Sequence, residues 1–178
     1  MLPSAPLLLA LTLGRRPATP TTTPTVLLTV SNPSPSTAYT LLTWGSPLDP
    51  LAFALGHFPL TLVSTNASIP LNVVAIKRAG PPNLDAYLTI RPGENLERAV
   101  ILREPTVDLR GLAGQRVRFT WDGERGPTQV WKGGREELFK EGRIASGEGW
   151  WRGDLEWEVD TGAGVEILIP KVPKGVGA

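Results

Sequence analysis

Short runs of alternating apolar residues recur along this 178-residue chain, each cut off after a few residues by Pro, Gly, Asn or Ser. Val26, Leu28 and Val30 alternate with Leu27, Thr29 and Ser31, and Val117, Phe119 and Trp121 alternate with Arg116, Arg118 and Thr120. That period of two puts one row of side chains on each face of a strand. The 18 prolines and 19 glycines are spread through these runs and leave no room for a long amphipathic helix. Parallel strands need crossover connections of about a dozen residues or more, usually helical. The strands are therefore expected to pair antiparallel and to close on one core as an all-β sandwich of about seven to nine strands, with one or two short helical turns.

The stretch from Val73 to Leu102 organises the middle of the chain. It reads as strand, turn, strand, turn, strand, with strands over Ile69–Lys77, Leu84–Arg91 and Leu96–Arg103. Pro92-Gly93 has the composition of a tight turn in which Gly supplies a positive φ. Further upstream, Asp49 is placed to cap a helical turn over Leu51–Leu55, with Pro50 at its first position and Gly56 closing it. Arg135–Lys140 has the length of one or two helical turns. Leu155–Val159 and Val165–Ile169, joined across Thr161–Gly164, have the pattern of a closing hairpin. Trp44, Trp121, Trp131 and Trp157 are expected in the core.

The expected organisation is a leader and Thr/Pro-rich linker over residues 1–24, a sandwich over residues 25–170 and a tail over residues 171–178. Leu7–Leu13 has the length of a signal-peptide core and is far too short to span a bilayer, although Arg15 and Arg16 follow it where a secretory signal carries its charge in front. Asn66-Ala67-Ser68 is a glycosylation sequon on a turn-like segment, so Asn66 is a candidate acceptor and an extracellular setting is expected.

Composition removes several function classes. A net charge of +1 with no concentrated basic face speaks against nucleic acid as a partner. Cysteine is absent, which excludes disulfides and thiolate chemistry, and His57 is the one histidine, which excludes a His-based metal cluster. His57 as a general base would need an orienting carboxylate that nothing in the sequence assigns to it, so a structural role is expected. No H-E-x-x-H, G-x-S-x-G or phosphate-binding glycine loop occurs. No catalytic, cofactor or metal residues are assigned, and the chain is not expected to be an enzyme. Adjacent Trp150 and Trp151 would point to opposite faces of a strand, so one of them is a candidate for contact with a sugar ring or a protein. Lys77 and Arg78 are a small basic pair that would end a strand and blunt its edge, and are the other candidate contact residues.

The segment I-K-R-A-G-P-P-N-L-D-A-Y-L-T-I-R-P-G-E-N-L-E-R-A-V-I-L, from Ile76 to Leu102, resembles a segment in the N-terminal pro-region of fungal deuterolysin-like metallopeptidases, the aspzincins. The residues that carry the resemblance are Lys77, Arg78, Gly80, Pro82, Asp85, Tyr87, Ile90, Gly93 and Glu94. Leu28–Asn32, Leu41–Pro50, Val130-Trp131 and Leu155–Ile169 extend it to roughly Thr25–Pro170. The resemblance implies an immunoglobulin-like β-sandwich in a secreted fungal protein. In that family a zinc peptidase domain with H-E-x-x-H follows the pro-region, and this chain has no such motif, so peptidase activity is not implied.

Three readings stay open. The first is a secreted, non-catalytic, protein-binding domain acting as a pro-domain-like inhibitor or chaperone of a metallopeptidase. The second is a carbohydrate- or cell-wall-binding module that uses Trp150 and Trp151. The third is a truncated gene model of a secreted zinc peptidase.

Overall fold

The computed structural model describes residues 8–15, 23–121, 129–141, 144, 150–151, 156–159 and 164–171. Within them lie twelve strands: β1 (Leu8–Arg15), β2 (Thr25–Ser31), β3 (Tyr39–Leu42), β4 (Leu60–Leu62), β5 (Ser68–Ile69), β6 (Tyr87–Ile90), β7 (Asn95–Ile101), β8 (Arg116–Phe119), β9 (Val130–Lys132), β10 (Trp150–Trp151), β11 (Glu156–Val159) and β12 (Val165–Leu168). A single turn of 3-10 helix covers Leu84–Ala86, and the helix α1 covers Arg135–Lys140. The strands form three four-stranded sheets, ordered β11-β1-β2-β7, β10-β9-β3-β6 and β12-β8-β4-β5. The β1–β11 pair is parallel and the other described pairs are antiparallel.

Alternation in the sequence sets what each face buries. Val26, Leu28 and Val30 of β2 are fully buried, while the residues between them are half-exposed. They meet Leu41, Leu60, Ile90, Val117, Phe119, Val130 and Ile167, contributed by the other two sheets, in one continuous core. Phe119 stacks on Phe58 at 4.7 Å and on Phe53 at 6.2 Å, a compact aromatic centre where large apolar areas leave water. A smaller cluster of Leu42, Ala86, Tyr87, Trp131 and Leu138 forms beside it. Tyr39 and Leu41 of β3 pack with the main core and Leu42 with this second cluster, so both faces of β3 are apolar. Helix α1 contributes Leu138 and Phe139, with Phe139 edge-on to Tyr87 at 5.2 Å. Thr89 Oγ1 accepts the Arg135 N–H at 3.0 Å, and Thr40 Oγ1 donates to the Gly133 carbonyl at 2.7 Å. These two threonines anchor a helix too short to stand alone.

Several expectations hold locally. Asp49 Oδ1 accepts the Leu51 N–H at 2.9 Å, and the turn ends at Gly56 with φ +77° and a His57 N–H bond to the Ala52 carbonyl at 3.0 Å. At Arg91–Glu94 the Glu94 N–H meets the Arg91 carbonyl at 3.0 Å with Gly93 at φ +68°. Trp131 is buried, and Trp44 and Trp121 pack half-buried against the two cores; Trp157 lies in β11, where only the backbone is described.

Leu8–Arg15 forms β1, paired with β2 from Ala10↔Ser31 to Arg15↔Val26. Three readings need correction. The strand expected over Ile69–Lys77 stops at Ile69, because Pro70 has no N–H to continue the ladder. Leu84–Ala86 turns as 3-10 helix before β6 begins at Tyr87. Finally, β11 and β12 do not pair with each other: β11 joins β1 and β12 joins β8, in different sheets. Ile167 of β12 lies opposite buried Val117 of β8.

Candidate functional site

The loop after β3 is built around a buried carboxylate. Thr43 N–H and Oγ1 both donate to the Ala86 carbonyl, at 2.8 and 3.0 Å. Ser46 Oγ donates to the Thr43 carbonyl at 2.7 Å and accepts the Leu48 N–H at 3.1 Å. This curl delivers Asp49, 3% exposed, with Oδ2 accepting the Gly45 N–H at 3.0 Å and Oδ1 facing Leu51. Gly45 holds φ +71°, which a side chain would resist. The charge that balances Asp49 comes from far along the chain: the Arg78 guanidinium donates to Oδ2 and lies 4.6 Å above the Trp44 ring.

Arg78 thereby fastens one end of an exposed strap, residues 70–79. The other end is fixed by Asn72, whose N–H meets the Thr106 carbonyl at 2.9 Å and whose Nδ2 meets the Pro105 carbonyl at 2.8 Å. Between them the Val74 N–H reaches the Ala54 carbonyl at 2.9 Å. Residues 75–80 make no main-chain hydrogen bond among the described residues. The strap carries Val73, Val74 and Ile76 to water at 56%, 47% and 43% exposure. Strand-forming residues stand here without a partner strand, next to the edge strand β5. From Pro50 to Leu84 the chain has no Asp or Glu, and the strap's own charges are Lys77 and the paired Arg78.

The candidate residues named from the sequence separate clearly. Lys77 is exposed on the strap, whereas Arg78 is half-buried in its ion pair, so the two are not equivalent. They end no strand. Asn66 is exposed at φ +56° in the turn between β4 and β5, where its N–H bonds the Leu62 carbonyl at 2.7 Å. Trp150 and Trp151 sit at register positions opposite Trp131 and Val130; their side chains lie outside the described residues. His57 is buried with its ring tilted 5.9 Å from that of Trp121. The sequence reading missed the Asp49–Arg78–Trp44 clamp. Its one sequence signal is that Arg78 and Asp49 bound a stretch almost free of charge.

Among the described residues no group of three or more His, Cys, Asp or Glu residues is placed to hold a metal, and no helix is long and apolar enough to cross a membrane. Sheets paired almost wholly antiparallel around one core are consistent with the immunoglobulin-like class, which fits non-catalytic binding in general. Residues 9–150 match the family model described as an immunoglobulin-like domain, and the chain belongs to that family. Domains of this kind are typically non-enzymatic and often mediate protein interactions. No curated protein matches the chain.

Proposed function

We propose that the chain is a non-catalytic protein-binding domain whose strap, residues 70–79, is the contact surface. The observation that carries this is the exposure of Val73, Val74 and Ile76 on a strap whose residues 75–79 make no main-chain hydrogen bond among the described residues. Covering the exposed parts of three such side chains is worth about 3 kcal/mol. Exposed Lys77 suits a partner that places a carboxylate beside its apolar contact. The setting we propose is extracellular, with Asn66 available for glycosylation. The finer reading, inhibition or folding assistance of a secreted metallopeptidase, rests on the resemblance of Lys77–Glu94 to aspzincin pro-regions. Affinity capture from culture fluid, run in parallel with wild type and an Ile76→Asp variant, tests the proposal. A protein retained by the wild type and lost by the variant supports it; a protein retained equally by both contradicts it. If the retained protein is a metallopeptidase whose activity falls on adding the domain, the finer reading stands; if it is any other protein, the finer reading fails alone.

A further inference from the structure

The strap contains a peptide bond that suits a second kind of protein chemistry. The chain has two adjacent basic pairs, Arg15-Arg16 and Lys77-Arg78. Arg15 is held in β1 opposite Val26, and the bond after Arg16 leads into Pro17, which serine endopeptidases do not accept after the cut. Lys77-Arg78 lies in the stretch of residues 75–80 that makes no main-chain hydrogen bond among the described residues. An endopeptidase docks its substrate as an added strand and inserts the side chain before the cut into a pocket. Main-chain groups from Ala75 to Gly80 are open to such docking, and Ala75, Ile76, Lys77, Ala79 and Gly80 are exposed. One requirement is unmet: the Arg78 side chain is held by Asp49 and stacked over Trp44.

We infer that Arg78–Ala79 is a gated processing site for a serine endopeptidase that recognises paired basic residues, and that the Asp49–Trp44 clamp is its gate. In the reaction water is the co-reactant. The C–N bond between Arg78 and Ala79 breaks, the water oxygen bonds to the Arg78 carbonyl carbon, and the remaining proton goes to the Ala79 nitrogen. The acidic pocket of the enzyme competes with Asp49 for one guanidinium, so cleavage waits on release of the clamp. Only after release can the side chain turn out, because Asp49 is buried and cannot follow it.

The cut leaves the sandwich intact. β2 lies before it and β7 after it, paired over seven positions from Thr25↔Ile101 to Ser31↔Asn95. β3 pairs with β6 and β9, and β4 with β8, again across the cut. The product is a nicked two-chain domain in which Val73, Val74 and Ile76 lie on the new C-terminal segment. This inference does not depend on the strap's binding partner.

The test treats the folded full chain with an endopeptidase specific for paired basic residues, and follows products by intact mass. Wild type, Trp44→Leu and Asp49→Asn all keep the basic pair, and thermal melting is measured for each. The expected result is a first cut after Arg78 in all three. Both variants are expected to be cut about tenfold faster than wild type, the factor for losing one charge-assisted contact. The nicked product should elute as one species in native buffer and separate into two in denaturant. No cut after Arg78 in any of the three chains overturns the inference, and so does an unchanged rate in both variants.

Discussion

The side-chain nitrogen of Asn32 lies 3.0 Å from the carbonyl oxygen of Ile90, and this bond joins two of the three sheets at their shared corner. The same Nδ2 donates to the carbonyls of Thr37 and Arg91 at 2.9 and 3.1 Å. The Asn32 main chain completes the corner, with its N–H on the Glu94 carbonyl and its carbonyl on the Gly93 N–H, both at 3.0 Å. Both connections that cross between sheets here, β2 to β3 and β6 to β7, are thus held by one buried residue. Asn32→Ala is expected to cost about 2–4 kcal/mol by leaving buried carbonyls without a donor. Asn32→Asp should cost more, because a carboxylate oxygen would then face three carbonyl oxygens. Thermal melting of the two variants checks the ranking, and an Asp variant as stable as Ala would refute this account of the corner.

Gly164 enters β12 at φ +75°, and a Cβ there would lie 2.5 Å from the Phe119 carbonyl oxygen and 2.6 Å from Thr120 Cγ2. The first of these is backbone in β8, opposite Val165, and cannot yield without disturbing that pairing. Gly164→Ala is expected to lower stability by about 1–3 kcal/mol, from strain at an unfavourable φ together with the clash. A denaturant midpoint within error of wild type would contradict it.

Burial raises the Tyr87 hydroxyl above its usual value of 10.0. The phenolate is the disfavoured form in the folded chain, so the folded state holds its proton more tightly than the unfolded one. Stability contributed this way is intact below pH 10 and is lost as pH climbs from the unfolded value towards the raised folded one. Tyr87→Phe should flatten this alkaline decline, seen in melting temperatures between about pH 9 and 11.5. A decline of equal slope in wild type and variant would show that other groups cause it.

The all-β sandwich was legible because period-two alternation survives wherever one face is buried, as in β2 and β8. Two local motifs were legible for the same kind of reason: the Asp49-Pro50 cap and the Pro92-Gly93 turn need particular residues at fixed offsets. What adjacent strands pair with was not legible. Leu155–Ile169 has the pattern of a hairpin, yet β11 and β12 enter different sheets, since alternation fixes a face and leaves the partner open. The strap shows the opposite failure. Val73, Val74 and Ile76 have strong strand propensity, but Pro70 ends the ladder and the Arg78 clamp holds the segment off the sheet. An ion pair across 29 positions has no periodicity to betray it.

The most direct measurement of the central claim is the affinity of the captured partner for strap variants, by calorimetric titration. Val74→Asp and Ile76→Asp are exposed changes and should leave the melting temperature unaltered. Each is predicted to weaken binding by about tenfold or more, with Lys77→Glu also weakening it through charge reversal. Unchanged affinity in all three variants, in chains that melt like wild type, would contradict the assignment of residues 70–79 as the contact surface.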